Sequence, residues 1–331
     1  MKRESVRKSV ALIVAAGLLV AVAGCSSSGS SAASCTPLAS AGSASNLVTA
    51  TGEFDKAPTV TFGTPLEAGA ETQRTILTQG TGAVLQSDGV VSGDYTLLNG
   101  TTGATISKTK YDGSTFSSFP IASSGLAGIQ KGLACATVGS RVAITMPPAD
   151  GFGANGNAQA SVGPTDSLVM VVDITNAYPG RANGAVQPAQ AGFPSVALGP
   201  DGRPGITIPS GPKPTELKTA VLKKGDGAAV ADGDQVIVQY TAVIWADTKT
   251  VAKSTWQDGA PTAVKASATA DLATTIVPSL VGQTVGSQYI TLVPPSAGYG
   301  ATGSTDGTIP ADSTLVYVVD VLGVLAVPAA K

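Results

Sequence analysis

Residues 292–303 of the 331-residue chain read LVPPSAGYGATG, and residues 146–156 carry a close counterpart, MPPADGFGANG. In both segments a proline pair precedes closely spaced glycines that satisfy the pattern GxGxxG. A dinucleotide-binding turn with this pattern needs a preceding parallel strand and a following helix, whereas prolines precede these glycines and Ser, Thr, Asp and Gly follow residue 303. We therefore interpret the glycines as a tight loop beside a groove.

The two loops are part of a longer internal repeat. The chain aligns with itself at offsets of 145 to 147 residues, for example 60–62 with 206–208 and 167–174 with 314–321. The segment between the copies is rich in proline and glycine and has no apolar period. We predict a first domain at residues 45–178, a linker at 179–204 and a second domain at 205–327.

Short β-branched runs separated by Asp-Gly turns dominate each copy, as at residues 235–245, 289–295 and 314–324. The helical pattern is confined to residues 125–139 in the first copy and 275–286 in the second. These patterns predict an α+β fold in which each domain is an antiparallel β-sheet packed around one short α-helix.

The composition excludes several kinds of chemistry. The chain contains no histidine, so mechanisms that need an imidazole base or a histidine zinc ligand are excluded. Charged residues make up 13% and the formal charge is −2, which leaves no basic surface for nucleic acid. No metal-ligand spacing is present, and we expect neither a metal nor a cofactor. The acids most suggestive of a site are expected to be solvated or capping groups: Asp166, Asp173, Asp312 and Asp320.

The N-terminus has the features of an export signal. Residues 1–8 hold four basic residues and one acid, and the 14 residues from Val10 to Ala23 are apolar, which is short for a membrane-spanning helix. The small residues before Cys25 resemble the lipobox of bacterial lipoproteins. This resemblance implies cleavage after residue 24, lipidation of Cys25 and a location outside the cytoplasmic membrane, with a flexible tether at 25–44. An uncleaved anchor and a cleavage site elsewhere are the alternatives.

Cys35 and Cys135 then remain as the other cysteines of the chain. In an oxidising compartment an even number of remaining cysteines favours a disulfide, and two separate thiols are the alternative. A disulfide here would close a loop of about 100 residues, which contributes about 4.7 kcal/mol to stability in the chain-entropy model.

The motifs of the second copy, in their order, resemble the FKBP-type peptidyl-prolyl cis-trans isomerase domain. The resemblance rests on VIVQYTA (236–242), SLVGQTVGS (279–287), LVPPSAGYGATG (292–303) and IPADSTLVYVVDVL (309–322). The first copy is a more distant match through DYTLLNG (94–100), GIQKGLACATVGSRV (128–142), MPPADGFGANG (146–156) and DSLVMVVDI (166–174). The resemblance implies two FKBP-like domains and isomerisation of X-Pro bonds.

The resemblance also implies a pocket in the second copy. Tyr240 takes the place of the strand tyrosine, Tyr299 that of the hydroxyl donor on the loop, and Tyr317 that of the last aromatic wall. Leu272 and Ala273 fall on a Val-Ile pair and Ile276 on the aromatic floor. Val251 replaces the family phenylalanine and either Ala252 or Lys253 the aspartate beside it. Tyr240 and Tyr317 are on strands, so a role in the core is the alternative reading.

In the first copy the implied pocket is degenerate. Phe152 replaces the hydroxyl donor, Met170 the aromatic wall and Ile129 the floor, while the remaining lining residues are Tyr95, Ile106 and Leu126. We therefore predict that the second copy is the active or more active one, and that the first is a structural or client-binding module.

Rotation about an X-Pro amide moves no proton, which suits a chain without histidine. We expect a lipid-anchored, extracytoplasmic isomerase whose partners are unfolded or proline-containing exported polypeptides. The resemblance implies binding of macrolide inhibitors as well, weakened because the aromatic floor and the phenylalanine are missing. The alternatives are a catalytically weak or inactive FKBP-like chaperone or binding lipoprotein, and a structural lipoprotein of the cell surface.

Overall fold

The computed structural model describes residues 35–86, 88–112, 117–121, 125–245, 247–268 and 277–325. The predicted signal peptide, Cys25 and the first part of the predicted tether lie outside these ranges. No helix in the described part of the chain is long and apolar enough to cross a membrane. We call residues 35–178 the first half and residues 179–325 the second half.

The first half is built on an antiparallel sheet. Its described elements are β1 (Thr49–Thr51), β2 (Thr59–Thr61), β3 (Gln73–Thr78), β4 (Val90–Asn99), β5 (Thr105–Lys108), β6 (Ser117–Pro120), α1 (Ala127–Leu133), β7 (Arg141–Met146) and β8 (Leu168–Tyr178). The sheet has the spatial order β3-β7-β8-β4-β5, and β6 also pairs with β4. Strands β1 and β2 form a separate hairpin.

The second half repeats this plan. Its described elements are β9 (Ala185–Val186), β10 (Ser195–Leu198), β11 (Pro204–Thr207), β12 (Lys218–Lys224), β13 (Gln235–Ile244), β14 (Asp247–Ser254), α2 (Thr255–Asp258), β15 (Thr262–Lys265), β16 (Gln288–Val293) and β17 (Leu315–Leu325). The sheet order is β14-β13-β17-β16-β12-β9, with β15 also on β13, and β10 and β11 form a separate hairpin. The inner strands β12-β16-β17-β13 therefore match β3-β7-β8-β4.

A helix and a hairpin cover opposite faces of the first sheet. Alternation along β4 and β8 places Leu97 and Met170 on the face that packs against Ile129 of α1. The helix approaches closely because Gly132 has no side chain: a Cβ atom there would lie 2.6 Å from Cδ1 of Ile144. The other face packs against the β1–β2 hairpin.

The helical prediction is met in the first half only. Helix α1 lies within residues 125–139, as expected. Residues 277–286 form bends and turns instead of a helix, because Ser279, Gly282 and Gly286 have φ angles of +62°, +84° and +88°. Left-handed backbone interrupts a right-handed helix. Residues 275 and 276 lie outside the described residues.

The segment predicted to be a linker contains regular structure. Strand β9 pairs with β12, and the backbone N–H of Ala182 donates to Oδ2 of Asp320 at 2.8 Å. Strand β10 belongs to the hairpin that covers the outer face of the second sheet, where Val196 packs with Val316 and Val318. The boundary between the two domains stays a prediction.

A disulfide and a contact between the two sheets join parts of the chain that are distant in sequence. Cys35 and Cys135 form the predicted disulfide, with 5.5 Å between their Cα atoms. The two sheets also touch each other, because Val90 of the first packs with Ile237 and Leu322 of the second. Close to this contact, a Cβ atom on Gly323 would lie 2.1 Å from Cδ1 of Tyr178.

Two acids that were expected to be solvated or capping are buried instead. Nε of Arg141 donates to Oδ1 of Asp173 at 2.6 Å within the first sheet. At the equivalent place in the second sheet, Nε2 of Gln288 donates to Oδ1 of Asp320 at 2.7 Å. The two carboxylates are buried because neighbouring strands supply their hydrogen bonds. Asp166 behaves as expected and accepts from the N–H of Gly163.

Candidate functional site

Neighbouring strands bring two of the predicted tyrosines onto one face of the second sheet. Tyr240 lies on β13 opposite Val319, and Tyr317 lies on β17 opposite Ala242, so the tyrosines are diagonal neighbours. Their ring centroids are 6.0 Å apart and the rings are tilted by 35°. Tyr317 is fully buried and Tyr240 is 7% exposed. We call the face that carries them, together with Tyr299, the tyrosine face.

Tyr299 reaches the tyrosine face from the loop that follows β16. Its side chain is half-buried and packs against the apolar cluster around the two strand tyrosines. The loop turns through Gly300 and Gly303, whose φ angles are +59° and +73°. A Cβ atom on Gly303 would lie 2.4 Å from the backbone oxygen of Ile309, so only glycine fits there. The glycines of the loop therefore set the position of Tyr299.

The buried tyrosine hydroxyls of this region differ in their partners. The hydroxyl of Tyr289 donates to the backbone oxygen of Pro278 at 2.7 Å. The hydroxyl of Tyr317 is buried and has no hydrogen-bond partner of good geometry among the described residues. Burial, and then the neighbouring hydroxyls of Tyr299 and Tyr240, raise the pKa of Tyr317 well above its ordinary value. The group stays protonated at neutral pH and can donate a hydrogen bond.

The structure corrects one predicted site residue. Val251 was assigned to the position of the family phenylalanine, but it packs on the opposite face of the sheet, beside Val243 and Trp245. A bulge between β13 and β14 explains this, because the pairing shifts from Ala242–Lys253 to Val243–Val251 and leaves Ala252 as the extra residue. Ala252 therefore packs on the tyrosine face. Leu272, Ala273 and Ile276 lie outside the described residues.

One charged residue near the tyrosine face was missed by the sequence reasoning. Oγ1 of Thr255 accepts from the backbone N–H of Tyr240 at 2.9 Å, which anchors helix α2 beside that tyrosine. Asp258 closes this helix, and its charge adds to the effect of burial in raising the pKa of Tyr240. The four-residue helix has no apolar period, so the sequence offered no signal for it.

All six residues predicted for the first copy's pocket pack around one apolar cluster. They are Tyr95, Ile106, Leu126, Ile129, Phe152 and Met170. The loop that carries Phe152 is fixed by an ion pair of 2.7 Å between Nζ of Lys131 and Oδ1 of Asp150. Burial raises the pKa of Asp150, but hydrogen bonds from Lys131 and Thr72 outweigh this effect and hold the pKa below its ordinary value. The matching loop of the second half has Ala297 at this position.

Residues 235–325 contain a face with three tyrosines and a loop with a proline pair and closely spaced glycines. Residues 227–322 match the FKBP-type peptidyl-prolyl cis-trans isomerase family. The matched segment includes Tyr240, Tyr299 and Tyr317, and its FKBP-like fold is an antiparallel sheet with little helix. It covers less than a third of the chain, and it lies wholly in the second half.

Solved FKBP structures are also similar to this chain. The three FKBP domains of wheat FKBP73 share 20% identity and a TM-score of 0.35, over 78% of this chain and 96% of that one. FkpA from Escherichia coli shares 27% identity and a TM-score of 0.30, over 38% of this chain and 53% of that one. A Pseudomonas syringae peptidyl-prolyl cis-trans isomerase shares 20% identity and a TM-score of 0.29, over 32% and 74%. The comparison with curated proteins gave no match.

Proposed function

We propose that the second half is a peptidyl-prolyl cis-trans isomerase that acts on X-Pro bonds. The family match over residues 227–322 is the observation that carries this proposal. Rotation about the amide has a barrier of about 18 to 20 kcal/mol because resonance must be lost. An apolar face disfavours the polar planar amide relative to the twisted one, and a donor can stabilise the carbonyl during rotation. Each 1.36 kcal/mol gained in this way is about tenfold in rate.

Tyr299 is the residue we propose as the main donor. It stands on a loop at the edge of the tyrosine face and is half-buried, so part of its side chain is accessible to a peptide. Tyr240 and the deeper Tyr317 then supply the apolar wall against which the proline ring lies. No base is needed, because the reaction breaks and forms no bond to hydrogen.

The second half is the better candidate because the first lacks the corresponding hydroxyls. Phe152 and Met170 stand where the second half has Tyr299 and Tyr317. The first half would then serve as a structural or client-binding module. We further propose that the protein is exported and lipid-anchored through Cys25, which the N-terminal sequence supports, and that its clients are exported polypeptides containing proline.

A second candidate is an FKBP-like chaperone or binding lipoprotein without turnover. Ala252 favours it, since this small side chain packs on the tyrosine face next to the position where the sequence placed a phenylalanine equivalent. Binding of macrolide inhibitors would be weakened for the same reason.

The proposal predicts that Tyr299→Phe lowers kcat/KM for isomerisation of an Ala-Pro peptide by about 3- to 10-fold, the effect of one neutral hydrogen bond. Tyr111→Phe is the matched control, because it removes a buried hydroxyl that bonds to Thr96 in the first half. We expect the control to keep the wild-type rate at a temperature where it is folded. Equal rates for wild type and Tyr299→Phe would count against Tyr299 as the donor.

A further inference from the structure

Two buried side-chain hydroxyls in the described part of the second half have no hydrogen-bond partner, those of Thr314 and Tyr317, and the hydroxyl of Tyr317 belongs to the tyrosine face. It is fully buried, yet it has no hydrogen-bond partner of good geometry among the described residues. A buried hydroxyl without a partner costs about 1 to 3 kcal/mol relative to one that is bonded. Tyr289, which is buried to the same extent in the same cluster, has its hydroxyl bonded to the backbone oxygen of Pro278.

The position of this hydroxyl connects it to the proposed peptide site. The ring of Tyr317 packs beside that of Tyr240, and the hydroxyl of Tyr299 is close enough to affect its ionisation. The group therefore lies on the tyrosine face, beside the loop residue that we propose as the main donor.

The residue at the equivalent position of the first half also supports a functional role for the Tyr317 hydroxyl. Met170 occupies it, on β8, and Phe152 occupies the position of Tyr299. The first half thus fills both places with apolar side chains that carry no hydroxyl group. Because the first half builds the same kind of sheet without these hydroxyls, a hydroxyl at position 317 is not needed for the fold. The half with the family match has both hydroxyls.

We infer that the Tyr317 hydroxyl donates a hydrogen bond to a backbone carbonyl of the bound proline-containing peptide, as a second donor beside Tyr299. The inference rests on the proposed function, because it takes the tyrosine face to be the peptide site. Donation is the chemically suitable role, since the proline of an X-Pro bond has no N–H to offer but the bond has a carbonyl. Peptide binding gives the hydroxyl a partner of good geometry, which it lacks among the described residues of the free protein.

Tyr317→Phe tests the inference because the two possible roles of the hydroxyl predict different combinations of results. If the hydroxyl binds the peptide, the variant lowers kcat/KM for an Ala-Pro peptide by about 3- to 10-fold, the range of one neutral hydrogen bond. The same variant unfolds at an equal or higher temperature, since it removes a buried hydroxyl that has no partner of good geometry among the described residues. A structural hydroxyl would give a lower unfolding temperature, with loss of activity only as a result of unfolding.

Thr145→Val in the full chain is the matched control. Its hydroxyl is also buried and without a partner in the described part of the chain, but it lies on β7 of the first half. We expect Thr145→Val to leave kcat/KM unchanged and to unfold at an equal or higher temperature. A wild-type kcat/KM in Tyr317→Phe, or a fall in both kcat/KM and unfolding temperature, overturns the inference.

The double variant separates a direct donor from a residue that only positions Tyr299. A direct donor gives a further loss of at least 3-fold when Tyr317→Phe is added to Tyr299→Phe. No further loss overturns the direct contact. If the wild type does not catalyse isomerisation, the proposed function fails, and the dissociation constant of the same peptide decides the inference. Weaker binding by Tyr317→Phe supports the donor, whereas equal binding, or no binding by the wild type, overturns it.

Discussion

Asp173 and Asp320 occupy equivalent positions in the two sheets, but they have different partners. Nε and Nη2 of Arg141 both donate to Asp173 at 2.6 Å, which makes a two-point ion pair in the first half. Asp320 receives hydrogen bonds from Gln288 and from the backbone of Ala182 instead. The pKa of Asp320 is raised, because burial has a larger effect than the factors that lower it. Those factors are the two hydrogen bonds and the positive charges of Lys223 and Arg181.

We predict that Asp320→Asn raises the free energy of unfolding at pH 7. A raised carboxyl pKa means that the folded protein holds its proton more tightly than the unfolded chain, so stability falls as the pH rises past the unfolded value of about 3.9. The neutral amide removes this penalty, with its oxygen accepting from the N–H of Ala182 and the amide of Gln288 turned so that Oε1 accepts from the new NH2 group. The gain disappears at about pH 3, where the acid is protonated in both states. Urea unfolding at the two pH values measures it, and a loss of stability at pH 7 would contradict the assignment.

Asp173→Asn is the control for that prediction. It leaves Arg141 buried without its carboxylate, since the side chain of this arginine is only 3% exposed. Removing one partner of a buried ion pair costs about 3 to 5 kcal/mol. The same chemical change should thus have opposite signs at the two equivalent positions.

Sequence motifs indicated which residues to examine, but they were less successful in predicting the face and the burial of a side chain. Tyr240, Tyr299 and Tyr317 were predicted from specific motifs, and the structure brings them to one face, while their role in a site stays a prediction. Val251 was misplaced because a bulge shifts the pairing by one residue, which reverses the face that a side chain occupies. The burial of Asp173 was missed because its partner, Arg141, stands 32 residues away and meets it only through strand pairing.

Among the elements, the loop after β16 has the most direct effect on the site. Its shape depends on glycines rather than on an ion pair such as Lys131–Asp150 in the first half. Gly303 and Gly307 both have positive φ angles, of +73° and +74°. They differ in their surroundings, because a Cβ atom would contact the backbone of Ile309 at Gly303 and would meet nothing within 4 Å at Gly307.

We predict that Gly303→Ala lowers both stability and kcat/KM, whereas Gly307→Ala costs only the strain of a left-handed alanine, about 1 to 2 kcal/mol. The clash at Gly303 forces the loop to move, and Tyr299 moves with it. Thermal unfolding and the peptide isomerisation assay check the pair. Identical behaviour of the two variants would show that the close contact with Ile309 does not position Tyr299.

The elements were predicted well where their signal was local. Alternating β-branched residues marked β13, β16 and β17, and α1 lies where the helical period placed it. The helix expected at 275–286 fails in its described part because left-handed residues interrupt it, which an apolar period cannot reveal. The strands within 179–204 were missed because β9 has only two residues and both hairpin strands are short.

At the scale of the whole molecule, the disulfide and the contact between the sheets hold distant parts of the chain together. The Cys35–Cys135 bond spans 100 residues of sequence. We predict that replacing both cysteines by serine lowers the free energy of unfolding by about 2 to 5 kcal/mol. Intact isomerase activity below the unfolding temperature is expected, because the bond lies in the first half. Unchanged stability would show that the bond contributes nothing to the fold.

The internal repeat was the feature of the whole molecule that the sequence predicted most fully. The shared strand order of the two sheets agrees with the alignment of the chain with itself. The direct contact of Val90 with Ile237 and Leu322 could not be foreseen, because apolar residues on two strands do not indicate which sheets they join.

The proposed function requires that the tyrosine face of the second half catalyses the cis-trans isomerisation of X-Pro bonds. Exchange spectroscopy on the full chain tests this catalysis most directly. The rate of cis-trans exchange of an Ala-Pro peptide is measured by NMR at increasing protein concentrations. We predict an exchange rate that rises in proportion to the concentration of wild-type protein and rises much less with the Tyr299→Phe, Tyr317→Phe double variant. An exchange rate that stays at its uncatalysed value, while the same protein suppresses aggregation of an unfolded client, would contradict the claim and favour the binding lipoprotein.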